Sequence, residues 1–75
     1  MEERHRLTLN MECVLFFQQN PYTLETADGI AMRLGRKRQD LEPVLHQMES
    51  NGVVQKSGQE PDAIYRYVSP DVYSS

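Results

Sequence analysis

The chain has 75 residues, 39% of them hydrophobic and 25% charged, with four glycines, four prolines and a net charge of −3. That length supports one small domain with a thin core, burying only about 60% of the surface its unfolded form exposes, and the frequent apolar residues exclude whole-chain disorder. A single cysteine rules out an intramolecular disulfide framework and a multi-thiolate zinc site, the charge weighs against a uniformly basic nucleic-acid binder, and without a membrane-length apolar run or a signal pattern the chain reads as cytoplasmic with no membrane partner.

Residues 1–7 form a charged N-terminal segment that contains His5. The apolar spacing of Leu7, Met11, Val14 and Leu15 predicts a first helix over residues 8–19, with Thr8 or Asn10 as its cap. Asn20-Pro21 ends it, because a residue before proline avoids the helical region. Residues 22–25 form a connection with room for a short extended stretch. Thr26 then caps a second helix over residues 27–34, with Asp28 favourably placed in its first turn and Ile30, Ala31 and Leu34 as its apolar stripe. Gly35 stands where a left-handed residue closes a helix.

Arg36-Lys37-Arg38-Gln39 is a basic turn. Asp40 is the expected cap of a third helix starting at Leu41, a start that puts Pro43 in the first turn, where its missing N–H costs nothing. Leu41, Val44, Leu45 and Met48 share one face of this helix, and Asn51-Gly52 ends it. The period then changes. Residues 53–57 enter a strand, residues 58–62 form a loop, and residues 63–68 alternate, with Ile64, Arg66 and Val68 on one face and Ala63, Tyr65 and Tyr67 on the other. This is a β-hairpin, followed by a flexible tail over residues 69–75.

Catalytic chemistry finds no foothold. Cys13 lies among apolar residues and reads as a buried structural thiol. His5 and His46 lack partners at metal-ligand spacing, and no carboxylate pairs with a second catalytic group. The expectation is a non-enzyme without cofactor or metal. Tyr65 and Tyr67 are expected to cover the hairpin face of the core.

The order helix, helix, tight turn, helix, hairpin meets the steric demands of a helix-turn-helix: small Ala31 for a close crossing, Gly35 for the turn, Leu41 and Val44 for the return packing. Ile30-Ala31-Met32-Arg33-Leu34-Gly35, followed by Leu41, Leu45, Met48 and Gly52-Val53-Val54, resembles the winged helix-turn-helix superfamily. The likeness spans residues 8–68 and is nearest to small bacterial and archaeal regulators. It implies an α+β fold in which three helices carry a C-terminal hairpin wing, with the third helix in the major groove of double-stranded DNA. Carried onto this chain, Arg36, Lys37 and Arg38 would meet phosphates and bases. Gln39, His46 and Gln47 are the further polar candidates beside the third helix, and glutamine can pair bidentately with adenine. Lys56 and Arg66 sit on the wing strands, with Ser57 and Gln59 near the tip.

Two functions follow. The first is a small transcriptional regulator that clamps DNA phosphates. The second is a protein-docking or self-associating winged helix without DNA binding, favoured by the acidic net charge, by Asp40, Glu42 and Pro43 in the third helix, and by Glu60 and Asp62 at the wing tip. Four of the eight basic residues, Arg33, Arg36, Lys37 and Arg38, fall within six positions, so charge distribution bears on partners more than the net value does.

Overall fold

The computed structural model describes residues 2–68; the tail expected over residues 69–75 lies outside them. The element order is α1 (Glu3–Gln19), β1 (Leu24–Thr26), α2 (Ala27–Leu34), α3 (Arg38–Ser50), β2 (Val54–Ser57) and β3 (Ile64–Tyr67). The three strands form one antiparallel sheet in the order β1-β3-β2. The chain is thus α+β, three helices with a three-stranded antiparallel sheet, an arrangement compatible with a winged helix.

The first helix differs from expectation at its start and in the face it buries. It begins at Glu3, so most of the charged segment is helical, and neither Thr8 nor Asn10 is a cap. Thr8 lies within the helix, where its Oγ1 donates to the Arg4 carbonyl at 3.1 Å. The buried face is Leu9, Cys13, Phe16 and Phe17, while Leu7, Met11 and Leu15 are exposed. Apolar residues surround this helix, so both sets satisfy a 3.6-residue period. The larger burial comes from the two phenylalanines, whose rings meet edge to face at 5.2 Å, and Phe17 also stacks on Tyr67 at 6.1 Å. Aromatic burial of this size outweighs that of a leucine or methionine. The helix ends at Asn20 as expected, its backbone N–H and side-chain Nδ2 both donating to the Phe16 carbonyl.

The second helix follows its local signals. Thr26 Oγ1 accepts from the Gly29 N–H at 3.1 Å, which satisfies a donor with no intrahelical partner. Gly35 closes the helix at φ 68°, and the Arg36 N–H reaches back to the Ala31 carbonyl at 2.9 Å, as in a Schellman end.

The third helix begins at Arg38, with Lys37 rather than Asp40 at its N-cap position. Pro43 therefore lies beyond the first turn and cannot donate to the Gln39 carbonyl. The added turn is held instead by Arg38, whose Nε donates to Glu42 Oε2 at 2.9 Å, four residues along the same helix. The apolar face is the expected one: Leu41, Val44, Leu45 and Met48 are all buried.

The hairpin alternates as read. Tyr65 is fully buried and Ile64 and Arg66 face outward. Its strands are one or two residues shorter than expected, although the Val68 N–H still reaches the Val53 carbonyl at 2.9 Å. The short extended stretch becomes β1, placing Leu24 opposite Arg66 and Thr26 opposite Ile64. One core joins these elements through Leu9, Phe17, Ile30, Leu41, Leu45, Val54 and Tyr65. Among the described residues, no buried side-chain polar atom lacks a partner.

Candidate nucleic-acid interface

The basic turn is spread over three environments. Arg36 turns back onto α1, donating from Nε and Nη2 to the two carboxylate oxygens of Glu12 at 2.9 and 2.6 Å. This bidentate, charge-assisted geometry is the strong form of such a pair. The hydrogen bond from Arg36 holds the Glu12 carboxyl below its usual range and raises the guanidinium in turn.

Arg38 is a hub between α2, α3 and the hairpin loop. Besides Glu42, it donates to Asp28 Oδ2 at 3.0 Å, Glu60 Oε1 at 3.1 Å and the Pro61 carbonyl at 3.1 Å. Its side chain is 24% exposed. Glu60 is itself shared: its Oε2 accepts from the Tyr65 hydroxyl at 3.0 Å and from Lys56 Nζ at 3.4 Å. Desolvation pushes the Glu60 carboxyl up, but these hydrogen bonds and the charges of Lys56 and Arg38 together hold it below its usual range. Burial, reinforced by Glu60, pushes the Tyr65 phenol up.

Lys37 is exposed at the N-cap position of α3, where no side chain caps the helix. The first amide N–H groups of a helix have no intrahelical acceptor and carry the positive end of its dipole, so this end favours an anion. Among the described residues, Lys37 forms no ion pair. Gln39 follows it, exposed. Counting along the helix, Gln39, Pro43, His46 and Ser50 form the ridge opposite the buried face, and all four are exposed. Gln47 is turned away from this ridge, its Oε1 accepting from Arg6 Nη2 of α1 at 3.3 Å.

The wing candidates divide between the two faces of the sheet. Lys56 pairs with buried Tyr65 across the strands, whereas Arg66 pairs with Gln55 on the outer face and donates to its Oε1. Ser57 and Gln59 are exposed near the tip. Of the five cations among the candidate residues, Arg36, Arg38 and Lys56 are engaged by carboxylates, which among the described residues leaves Lys37 and Arg66 without one.

Sequence reasoning missed the partners. Glu12, Asp28 and Glu60 lie 24, 10 and 22 residues from the arginines they hold, and only the Arg38–Glu42 pair had a local signature. Arg33, the remaining member of the basic cluster, lies 3.3 Å from Glu25 and over the Phe16 ring at 5.7 Å. The comparisons with known proteins found no matching family model, no matching curated protein and no matching solved structure.

Proposed function

We propose that this chain is a winged helix-turn-helix domain that binds double-stranded DNA through the N-terminal end and outer ridge of α3, as a small transcriptional regulator. The observation that carries this reading is the uncapped start of α3 beneath an unpaired Lys37. A phosphate seated there meets free amide N–H groups, the helix dipole and a lysine charge together. Gln39 and His46 stand on the adjoining ridge, where an α-helix in the major groove presents its base-reading side chains, and glutamine offers the donor and acceptor that adenine requires. The β2–β3 hairpin supplies the wing, with Ser57 and Gln59 toward its tip.

Ion pairing sets the strength. A phosphate can recruit Arg36 or Arg38 only by displacing Glu12 or the Asp28–Glu42–Glu60 set, and those carboxylates then remain close to the DNA. Among the described residues the candidate DNA surface therefore starts with two cations not held by a carboxylate, Lys37 and Arg66, and binds weakly. Its affinity should fall with a slope of about −2 in log K against log salt, where five phosphate contacts would give about −4.5. Fluorescence anisotropy of a labelled duplex at about 20 and 200 mM salt tests this, with Lys37→Ala expected to weaken binding and flatten the slope by about 0.9. Absence of binding at the lower salt overturns the reading.

The second reading, a winged helix that docks protein, is favoured by the same ion-pair set. With Arg38 and Lys56 neutralised, the α3 and wing surface keeps Glu49 and Asp62 exposed, a rim suited to a basic partner rather than to phosphates. On that reading the duplex gives no signal at either salt.

A further inference from the structure

Asn51-Gly52 closes α3, and DNA binding makes no use of the pair. Asn51 and Gly52 are exposed, as are Glu49 and Ser50 before them. Glycine puts no side chain over the amide nitrogen that follows Asn51. The space where a Cβ would stand at position 52 is open, with no atom beyond its chain neighbours within 4 Å. That nitrogen is placed by the covalent chain to close a succinimide ring on the Asn51 side chain.

We propose that Asn51 is a site of spontaneous deamidation, gated by the last turn of α3, with water as its only co-reactant. The deprotonated Gly52 nitrogen attacks Asn51 Cγ, a C–N bond forms, and the side-chain nitrogen leaves as ammonia. Water then opens the ring at either carbonyl, giving aspartate or isoaspartate. The net change is one water in and one ammonia out.

The fold sets the gate. Asn51 stands at ψ 0°, so the Gly52 nitrogen eclipses the Asn51 nitrogen and not Cβ, as ring closure requires. The Gly52 N–H also donates to the Glu49 carbonyl at 3.0 Å, and the Asn51 N–H to the Gln47 carbonyl at 3.0 Å. Breaking these two bonds uncovers no buried side chain, so this helix end opens at little cost. The other asparagines are Asn10 and Asn20. Asn10 lies inside α1, and Asn20 precedes Pro21, whose nitrogen carries no hydrogen. Asp28-Gly29 has the same spacing, but Gly29 donates to Thr26 Oγ1 and lies under the Glu25 side chain.

The product weakens the join between α3 and the hairpin. A carboxylate at position 51 meets the negative end of the helix dipole, and no basic residue stands in the last turn. Isoaspartate adds one carbon to the main chain there and shifts the Val53 N–H off the Met48 carbonyl, which it reaches at 2.9 Å. The proposal holds whatever α3 binds.

Incubation of the full chain at mildly alkaline pH, with and without urea, followed by peptide mass mapping tests the proposal. The Asn51 peptide is expected to exchange ammonia for water and split into aspartate and isoaspartate forms, while the Asn10 and Asn20 peptides stay unchanged. Urea should speed the conversion about tenfold by removing the gate. Asn51→Gln should abolish the acidic species that isoelectric focusing resolves, and Asn51→Asp should melt at a lower temperature. Three results each overturn the proposal: no conversion at Asn51 in the folded chain over several weeks, equal rates with and without urea, or conversion of Asn10 that keeps pace with Asn51. An unchanged melt for Asn51→Asp overturns the weakening of the join.

Discussion

The guanidinium of Arg38 lies 3.1 Å from the carboxylate of Glu60, although 22 residues separate them and one belongs to α3, the other to the hairpin loop. This contact fastens the loop over the start of α3, and Tyr65 and Lys56 hold Glu60 from the other side. The same residues that would meet phosphate therefore brace the wing.

Glu60→Gln should separate these two roles. Removing the charge loosens the loop and lowers the melting temperature. Because the contacts are partly exposed, this deficit shrinks as salt screens them. Arg38 keeps Asp28 and Glu42, but Lys56 loses the carboxylate that engages it and is freed for phosphate, so duplex affinity should rise and its salt slope steepen by up to about 0.9. Thermal melts at two salt concentrations and anisotropy on the same variant check both halves.

Stability should fall on both sides of neutrality. Glu12 and Glu60 are held below the usual 4.5 in the fold, so their contribution is present above that value and is lost as pH falls through their folded values. Burial pushes the Cys13 thiol up to about 12 from 9.0. Its contribution is whole below pH 9 and is lost as pH rises toward 12, and Tyr65 adds to the alkaline loss. Urea midpoints between about pH 3 and pH 11 check the dome, and Glu12→Gln combined with Glu60→Gln should flatten its acid limb.

Two threonines distinguish a true cap from an apparent one. Thr26→Ala removes the acceptor for the Gly29 N–H and should cost about 1 kcal/mol. Thr8→Ala, inside α1 and exposed, should change stability by no more than about 0.5 kcal/mol. Urea denaturation of the two variants measures the difference.

The choice of buried face on α1 is open to the same kind of contrast. Leu9→Ala empties a fully buried position and should cost about 2–5 kcal/mol. Leu7→Ala, at an exposed position on the same helix, should stay within about 0.5 kcal/mol. Equal costs would mean that the helix is turned the other way.

These contrasts also explain what could be read from the chain alone. The Thr26 cap and the Gly35 turn act within a few residues, and Tyr65 faces inward because a strand alternates, so each was legible. The rotation of α1 was not, because spacing defines two stripes and the choice depends on Phe16 and Phe17 meeting distant Tyr67 and Arg33. The start of α3 was misplaced for a related reason: Asp28 and Glu60, which help to hold Arg38 there, are remote in sequence. At the candidate site the basic cluster was legible as a cluster, but the carboxylates that occupy most of it were not.

DNA binding at the start of α3 is tested most directly by following backbone amide shifts of the full chain during titration with duplex, at low and at high salt. The expected result is shifts centred on Lys37, Arg38 and Gln39, with smaller ones at Ser57 and Gln59, all fading as salt is raised. Unshifted amides at these positions with about 1 mM duplex in low salt would contradict it.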